Sequence, residues 1–182
     1  MCGSNKLHTI INLGKHPLVN RLVKKEEVKK KDFFFPLILK RCEKCSLVQL
    51  SQFVDPKNLY VDQDYTYFSS DVKAQEKYFS KYAKELVVSF NVKNKFVIEI
   101  GSNDGIMLKH FAKKNTVLGV DPATNVVLRA LKKNVNTLPV FYNNEISKKI
   151  KREYGGADLI IANNCIAHTN HLNDLIKGVK NN

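Results

Sequence analysis

The segment Phe96-Val-Ile-Glu-Ile-Gly-Ser-Asn-Asp-Gly105 carries the strongest structural signal in the chain. A continuous apolar run of strand length leads directly into an acidic turn that contains two glycines. A second short apolar run, Val117-Leu-Gly-Val-Asp-Pro122, again ends in a carboxylate. About 20 residues separate Glu99 from Asp121, which is the length that one βα unit of a nucleotide-binding sheet requires. The two segments therefore predict the first two strands of such a unit.

The turn after the first strand indicates what kind of ligand this unit binds. Gly101 and Gly105 allow a tight turn and a close approach of the backbone to a ligand. Asn103 stands where the dinucleotide motif G-x-G-x-x-G has its second glycine. A ligand without a pyrophosphate therefore fits better, and we expect S-adenosylmethionine (SAM). Asp121, at the end of the next strand, is the expected acceptor for its ribose hydroxyls.

From residue 93 onward, apolar strand-like runs alternate with amphipathic segments. The predicted strands are 96–100, 116–120, 137–142 and 157–162, and the predicted helices are 106–113, 124–133, 144–154 and 172–179. Such alternation is typical of an α/β fold in which a parallel sheet carries helices on both faces. A sheet of this class usually has more strands than four. We therefore expect residues 93–182 to be the N-terminal half of a Rossmann-like domain.

A helical connector is predicted over residues 61–92. Ser70 is expected to cap its helix, and Asp71 suits the positive end of the helix dipole. Apolar side chains then recur at helical spacing and predict one buried face; they are Val72, Tyr78, Phe79, Tyr82, Ala83, Leu86 and Val87. Tyr65 and Tyr67 precede the helix and are less easily explained by packing.

Residues 1–60 predict a small β-rich module that needs a staple, because its apolar runs are short and lack a sustained helical period. Cys42 and Cys45 form a C-x-x-C pair whose thiolates can both reach one tetrahedral zinc ion. Cys2 offers a third ligand, and His8 or His16 is a candidate for the fourth. A redox pair or inert thiols is the alternative for this C-x-x-C. Cys165 is expected to be a buried apolar residue.

The formal net charge of +13 invites a nucleic-acid interpretation. Nearly all of the excess is lysine, with 26 lysines against 4 arginines. Because the guanidinium group is the one that recognises phosphates and base edges in a fork geometry, this composition favours a solvated surface. The dense cluster over residues 24–31 is interpreted as an exposed connector rather than a binding patch. Without an export signal or a membrane-length apolar run, the expected location is cytoplasmic.

Six motifs occur in one order along the chain: Leu13-Gly-Lys-His-Pro-Leu-Val-Asn20, Phe35-Pro-Leu-Ile-Leu-Lys-Arg-Cys-Glu-Lys-Cys-Ser-Leu-Val-Gln-Leu50, Tyr65-Thr-Tyr-Phe-Ser-Ser70, Glu99-Ile-Gly-Ser-Asn-Asp-Gly105, Gly119-Val-Asp-Pro-Ala123 and Ala162-Asn-Asn-Cys-Ile-Ala-His168. This series resembles the SAM-dependent methyltransferases that carry an N-terminal zinc-binding domain, among them the sugar-nucleotide C-methyltransferases of deoxysugar biosynthesis. The resemblance runs from Cys2 to near the C-terminus.

The resemblance implies a role for each matching residue. Cys2, Cys42 and Cys45 would be zinc ligands. Glu99, Gly101, Asn103 and Gly105 would line the methionine and ribose side of SAM, with Asp121 on the ribose hydroxyls. Tyr65 or Tyr67 and His168 would face the sugar substrate. The chain departs from the family pattern in lacking the first cysteine of the N-terminal C-x-x-C and the C-terminal half of the methyltransferase domain.

His168 follows the fourth predicted strand, at the edge where open α/β sheets bind ligands. Attack by a sugar carbon requires a base that removes a proton beside a carbonyl, and a donor for the resulting enolate. The pKa range of histidine suits either role, whereas the alternative is a histidine that hydrogen-bonds a loop carbonyl. Asn163 and Asn164 either hold substrate hydroxyls or cap the loop.

Three classes of function remain open from the sequence. The chain is a SAM-dependent methyltransferase or a fragment of one, a truncated protein without activity of its own, or a basic zinc module that binds nucleic acid. The motif series favours the first class, whereas the expected absence of the C-terminal half favours a truncated protein for this chain by itself. The expected partners are a sugar-nucleotide-like small molecule and either a separate C-terminal half or a second copy of the chain.

Overall fold

The computed structural model describes residues 2–30, 32–62 and 64–182. The chain divides into two compact units, residues 1–66 and residues 67–182. No helix of the described residues is both long and apolar enough to cross a membrane.

The first unit is built on a three-stranded antiparallel sheet. Its strands are β1 (Leu7–Pro17), β2 (Phe34–Cys42) and β3 (Val48–Leu50), in the order β1-β2-β3, and the short helix α1 (Pro56–Tyr60) follows. Asp55 caps α1, because its side chain accepts a hydrogen bond from the backbone N–H of Lys57 at 2.9 Å. Two irregularities interrupt the β1–β2 register, between Thr9 and Ile11 and between Asn12 and Lys15.

Apolar burial contributes little to the first unit. Among its described residues only Cys42 is buried, at 3 % exposure. A sheet with so little core is marginal in water, and small domains of this kind rely on a disulfide or a metal. A cross-link of the type predicted from its cysteines would stabilise such a unit.

The second unit contains a parallel sheet with helices on both faces, which confirms the predicted α/β class. Its strands are β4 (Phe96–Ile100), β5 (Thr116–Val120), β6 (Thr137–Leu138) and β7 (Leu159–Ile161), in the order β6-β5-β4-β7. Its helices are α2 (Lys73–Ser89), α3 (Thr124–Lys132), α4 (Asn144–Tyr154) and α5 (Leu172–Asn181). β4 is central, and all five of its side chains are buried.

The alternation of side chains along β4 separates two hydrophobic clusters. Val97 belongs to the cluster that includes Phe79 of α2 and Ala130 of α3. Its neighbour Ile98 belongs to the other cluster, with Ile150 of α4 and Leu175 of α5 inside it. Each face of the sheet is thus covered by its own pair of helices, and sheets of this class bind their ligands at the carboxyl ends of the strands.

Several predicted elements differ from the structure, among them the strand predicted over residues 157–162, which covers Leu159–Ile161 only. The segment 106–113 is a series of turns with a 3₁₀ turn at Leu108–His110, in which Ile106, Met107, Leu108 and Phe111 are all buried. β6 is shorter than predicted, since Pro139 has no N–H to extend the ladder. Helix α2 starts at Lys73 with Val72 as its cap, so the capping role predicted for Ser70 is wrong.

Candidate functional site

The loop after β4 makes a sharp turn that its residue types explain. Gly101, Asn103 and Gly105 have φ angles of 67°, 48° and 75°. Left-handed backbone of this kind is favourable for glycine and tolerable for asparagine, which accounts for their alternation along the loop. The loop is tied to the sheet by the N–H of Gly101, which donates to Val120 O at 2.8 Å.

The two glycines are needed for packing within the protein. A Cβ on Gly101 would lie 2.6 Å from Cβ of Cys165, and one on Gly105 would lie 2.9 Å from Cβ of Val135. At both glycines, therefore, the backbone lies close to side chains of the protein itself, namely Cys165 and Val135. Their positive φ angles still shape the turn in the way the sequence predicts.

Asp121 lies directly beside this loop, at the carboxyl end of β5. Its Oδ2 accepts from the N–H of Asn103 at 2.9 Å, and its Oδ1 accepts from the N–H of Ala123 at 3.0 Å. Burial raises the pKa of this carboxyl, and the two N–H donors oppose that effect. Each carboxylate oxygen retains a second lone pair. Asp121 thus joins two loops and still offers acceptor capacity for ligand hydroxyls.

Glu99 places a second carboxyl near the same edge. Its Oε1 lies 3.5 Å from Nδ2 of Asn163, and its Oε2 is buried with no hydrogen-bond partner among the described residues. Complete burial, reinforced by the charge of Asp121, raises the pKa of Glu99 to about 8. A buried oxygen without a partner at a ligand edge is a position that a polar ligand group would satisfy. This observation fits a bound group with a hydrogen-bond donor.

Asn163 and Cys165 follow β7 and contact residues of β4 and the loop after it. Asn163 is half-buried, and its Nδ2 contacts Sδ of Met107 at 3.0 Å as well as Glu99. Cys165 is also half-buried, and its Sγ donates to Ile100 O at 3.1 Å. These contacts tie the loop after β7 to the end of β4.

His168 lies in a 3₁₀ turn (Ile166–His168) and is exposed. Its backbone N–H donates to Cys165 O at 3.0 Å. Within the described part of the chain, its imidazole has no hydrogen-bond partner, so the structure does not show the alternative of a side chain bonded to a loop carbonyl. Asn164, with φ 53°, is likewise exposed.

Tyr67 and Tyr65 fall in different units. Tyr67 is held at the loop after β4, because Asn103 Nδ2 donates to its carbonyl at 3.1 Å and Gln75 donates to its hydroxyl. Tyr65 belongs to the first unit, where its ring contacts that of Tyr60 with centroids 5.2 Å apart. Within the second unit, the structure thus places the backbone of Tyr67 beside Asn103, whose N–H binds Asp121.

Sequence reasoning missed the partners of the β4 loop. Asn103 Oδ1 accepts from the N–H of Ser69 at 2.8 Å, so the side chain of Asn103 binds the segment before α2 at two points. Asp104 is completely buried, and Lys133 Nζ lies 2.8 Å from its Oδ2. A charged residue inside a turn of small residues was the sequence signal for this buried pair.

The predicted metal ligands of the first unit come together. The sulfur atoms of Cys2, Cys42 and Cys45 lie within 4.8 Å of one another, and the Cys2–Cys42 pair is 3.6 Å apart. Two thiolates on one tetrahedral zinc ion, each about 2.3 Å from the metal, have sulfurs slightly under about 4 Å apart. The three cysteines therefore fit a zinc ion.

The β2–β3 hairpin explains this placement. Cys42 N–H donates to Leu47 O at 2.8 Å, and Ser46, with φ 61°, closes the turn by donating from its N–H to Cys42 O at 3.0 Å. Hydrogen bonds from the N–H groups of Cys45 and Lys44 lower the pKa of Cys42 to about 7, which favours the thiolate that binds metal. Leu7 pairs with Cys42 across the sheet, so the preceding residues reach the hairpin.

A fourth ligand is not present among the described residues of the cluster, which contains these three cysteines alone. Of the two histidines considered, His16 is engaged elsewhere, since its Nε2 lies 2.8 Å from Leu13 O. His8 is exposed on β1, where it lies opposite Arg41 of β2 in the strand register.

Replacing one of these cysteines should abolish zinc binding. In Cys42→Ser we expect bound zinc to fall below about 0.2 ion per chain, because the remaining two thiolates cannot hold the metal against a competing chelator. Metal analysis of the purified protein measures this directly. Cys165→Ser is the matched control, since Cys165 lies in the second unit and should leave the zinc content unchanged. Equal zinc in wild type and Cys42→Ser would contradict the assignment.

The parallel sheet with an acidic, glycine-containing turn after its central strand defines a Rossmann-like ligand-binding fold. Two family models match the chain. One, described as "Methyltransferase domain", matches residues 73–182, and the other, described as "Putative zinc binding domain", matches residues 1–60. The first match covers more than half of the chain, so the protein belongs to the methyltransferase-domain family. The resemblance drawn from the six motifs is confirmed.

Individual relatives agree with this family. The C-methyltransferase NovU of Streptomyces niveus is 28 % identical over 181 residues, which are 98 % of this chain and 43 % of that protein. Among solved structures, the plantazolicin methyltransferase BpumL in complex with SAH is 18 % identical, with a TM-score of 0.50 over 65 % of this chain and 49 % of that one. The structural likeness shows the fold. The chain thus spans less than half the length of these relatives.

Proposed function

We propose that this chain forms the zinc-binding and SAM-binding part of a C-methyltransferase that acts on a small, sugar-nucleotide-like molecule. The observation that carries the proposal is the acidic edge of the sheet, where Glu99 has a buried Oε2 without a partner and Asp121 retains free lone pairs beside the β4 loop. NovU, a C-methyltransferase, supports methylation at carbon. Since the chain spans 43 % of that relative, we assign ligand binding to this chain and methyl transfer to the whole protein.

SAM, when bound, supplies a methyl group on a positively charged sulfur. We assign its ribose hydroxyls to Asp121, whose second lone pairs accept hydrogen bonds without disturbing those from Asn103 and Ala123. Glu99 would face the methionine side, where a donor on the ligand satisfies Oε2. Burial keeps Glu99 protonated in the free protein at neutral pH, so a cationic donor arriving there would favour release of that proton.

The acceptor side is assigned to His168 and Tyr67. The exposed imidazole of His168 is free to take a proton from a substrate carbon beside a carbonyl, which leaves the electron pair on an enolate. The hydroxyl of Tyr67, held by Gln75, is available as a hydrogen-bond donor to such an oxyanion. These two roles require a substrate with a hydrogen on the carbon beside a carbonyl, and a keto sugar nucleotide is the member of that class that we propose.

The experiment that tests the proposal is calorimetric titration of the purified chain with S-adenosylhomocysteine. Asp121→Ala should weaken binding by about 1–3 kcal/mol, because ligand hydroxyls lose a charged acceptor. Asp121→Asn keeps one carbonyl oxygen in place, so its affinity should lie between those of Asp121→Ala and the wild type. The affinity of Asp121→Asn also shows how much the hydrogen bonds that Asp121 accepts from the two loops contribute to binding. Asp158→Ala is the matched control. Asp158 accepts a hydrogen bond from the N–H of Phe96 at 2.8 Å, and Phe96 is the first residue of β4, so this carboxylate lies at the end of the strand opposite to the candidate site.

The control should bind the ligand as the wild type does. Equal affinity of wild type and Asp121→Ala would show that Asp121 does not contact the ligand. Absence of binding by the wild-type chain would refute the assignment of SAM binding to these residues alone.

A further inference from the structure

Residues 67–71, here called the strap, precede helix α2 and are held along their whole length. Asn103 binds two backbone groups of the strap, the carbonyl of Tyr67 and the N–H of Ser69, at 3.1 and 2.8 Å. Arg129 lies 4.5 Å above the ring of Phe68. The side chain of Ser70 binds Asp104, and that of Asp71 binds Arg129, so every residue of the strap has a contact with a residue outside it. Ser69–Asp71 form a local 3₁₀ turn, and these partners, distant in the sequence, attach the strap to the β4 loop and α3.

Asp104 is the centre of this arrangement. Its side chain is fully buried, and its Oδ2 accepts from the hydroxyl of Ser70 and from Lys133 Nζ at 2.8 Å. Lys133 Nζ also lies 2.7 Å from Ser70 Oγ and 3.4 Å from Asp104 O. One ammonium group therefore joins the β4 loop, the strap and the end of α3.

A second cation completes the charge balance. Arg129 pairs with Asp71 through both terminal nitrogens, with one contact at 3.0 Å, and its Nε lies 3.7 Å from Asp104 Oδ2. Two carboxylates thus face two cations. Because Asp104 Oδ1 is buried without a hydrogen-bond partner in the described chain, its charge depends on Lys133 and Arg129 for compensation. Removing Lys133 leaves that charge in a dry environment with a single cation at longer range.

We propose that Lys133 is a positioning residue for the cofactor site, which locks the strap onto the loop after β4. The inference rests on the proposed function, because the loop it fixes is the one beside Asp121. Asn103 is the link: its side chain binds the strap, and its backbone N–H binds Asp121. When the strap is locked, Asn103 is held in its left-handed conformation and the carboxylate of Asp121 is oriented. Tyr67 is fixed at the same time.

The test compares Lys133→Met with Lys132→Met, its matched control. Lys132 is the adjacent lysine and is exposed. Hydrogen exchange measured on the ligand-free chain should show the amides of Ser69 and Asn103 exchanging at least about tenfold faster in Lys133→Met, because both depend on the same closed state. In Lys132→Met they should exchange as in wild type. Calorimetry with S-adenosylhomocysteine should show about tenfold weaker binding for Lys133→Met alone.

Ser70→Ala keeps the test decisive if Lys133→Met fails to fold. It removes one hydroxyl from the strap and leaves the contact between Asp104 and Lys133 in place. Faster exchange at Ser69 and Asn103 together, with weaker ligand binding and only a small fall in the midpoint of thermal unfolding, is the expected result, because Asp104 loses one of its donors. Overall destabilisation would not produce exchange confined to the strap and the loop.

Two outcomes would overturn the proposal. Unchanged exchange at Ser69 and Asn103 in Ser70→Ala and Lys133→Met would show that these groups do not lock the strap. Faster exchange with unchanged ligand affinity would show that the strap does not position the cofactor site. If the wild-type chain bound no ligand, the proposed function would fail by itself, while exchange would still decide whether Lys133 closes the strap.

Discussion

Gly101→Ala is expected to destabilise the second unit by about 2–5 kcal/mol, one of the two largest effects predicted for this protein. Its φ angle of 67° lies in the left-handed region, where a side chain costs about 1–2 kcal/mol. The new Cβ would also lie 2.6 Å from Cβ of Cys165 and 3.3 Å from its Sγ. Overpacking of this kind typically adds about 1–3 kcal/mol, because backbone must move to relieve it.

A double-mutant cycle separates the two causes. Cys165→Gly removes the Cβ that an alanine at position 101 would meet, but it leaves the φ angle of that position unchanged. Chemical denaturation should therefore give a smaller cost for Gly101→Ala in the Cys165→Gly background than in wild type. The remaining cost measures the backbone conformation. An identical cost in both backgrounds would mean that the contact with Cys165 does not explain the effect.

Elements set by local sequence were predicted with their correct bounds. β4 and β5 are continuous apolar runs, and each ends at the residue before a turn. Helix α4 has both of its boundaries written in the sequence: Asn143 accepts from the N–H of Ile146 at 2.8 Å at the start, and Gly155 with φ 83° ends it. Capping depends on residues next to the helix, so a sequence pattern is sufficient to locate it.

Ser70 shows where local patterns fail. A serine followed by an aspartate before an amphipathic run is typical of a helix cap, and the prediction was reasonable by propensity. In the structure Ser70 instead donates to Asp104, which is 34 residues away, and Asp71 pairs with Arg129, which is 58 residues away. Tertiary partners determined the conformation of these two residues. Asp104 and Arg129, both distant in the sequence, set their roles, and no local pattern encodes these pairings.

In the candidate site, the sequence predicts the positions that depend on the strands but not the side-chain contacts between distant segments. The positions of Glu99 and Asp121 follow from strand order, because the carboxyl ends of neighbouring parallel strands meet at one edge. The assignment of Asn103 to ligand contact did not foresee that its side chain binds the strap. The zinc cluster was more accessible to sequence reasoning, since a C-x-x-C spacing fixes two ligands by local geometry.

Glu99→Gln is expected to remove a large pH dependence of the free energy of unfolding. The ordinary pKa of a glutamate is 4.5, and in the folded protein burial raises that of Glu99 to about 8. Below pH 4.5 the carboxyl is protonated in both states and costs nothing. Between these two pKa values the folded protein holds a proton that the unfolded chain has released, so the free energy of unfolding falls as pH rises through this window. Above pH 8 the penalty is complete.

The size of the effect follows from the same linkage. One proton difference changes the free energy of unfolding by about 1.4 kcal/mol per pH unit, so the penalty reaches a few kcal/mol, on the order of 3, near pH 7. Glutamine is neutral at every pH and nearly isosteric, and it removes this slope. The free energy of unfolding of Glu99→Gln minus that of wild type should therefore increase steadily from pH 5 to pH 8, as measured by denaturant titration at several pH values.

Asp158→Asn provides a control of opposite sign. Hydrogen bonds from Lys95 and from the N–H of Phe96 lower the pKa of Asp158 below its ordinary 3.8. Its contribution is fully present above that value and is lost only as pH falls below it, so the difference between Asp158→Asn and wild type should stay flat from pH 5 to pH 8. A flat difference for Glu99→Gln over the same window would show that Glu99 is ionised in the folded protein. The unpartnered Oε2 would then need a cation that stabilises the carboxylate, and the protonated ligand-free site would be refuted.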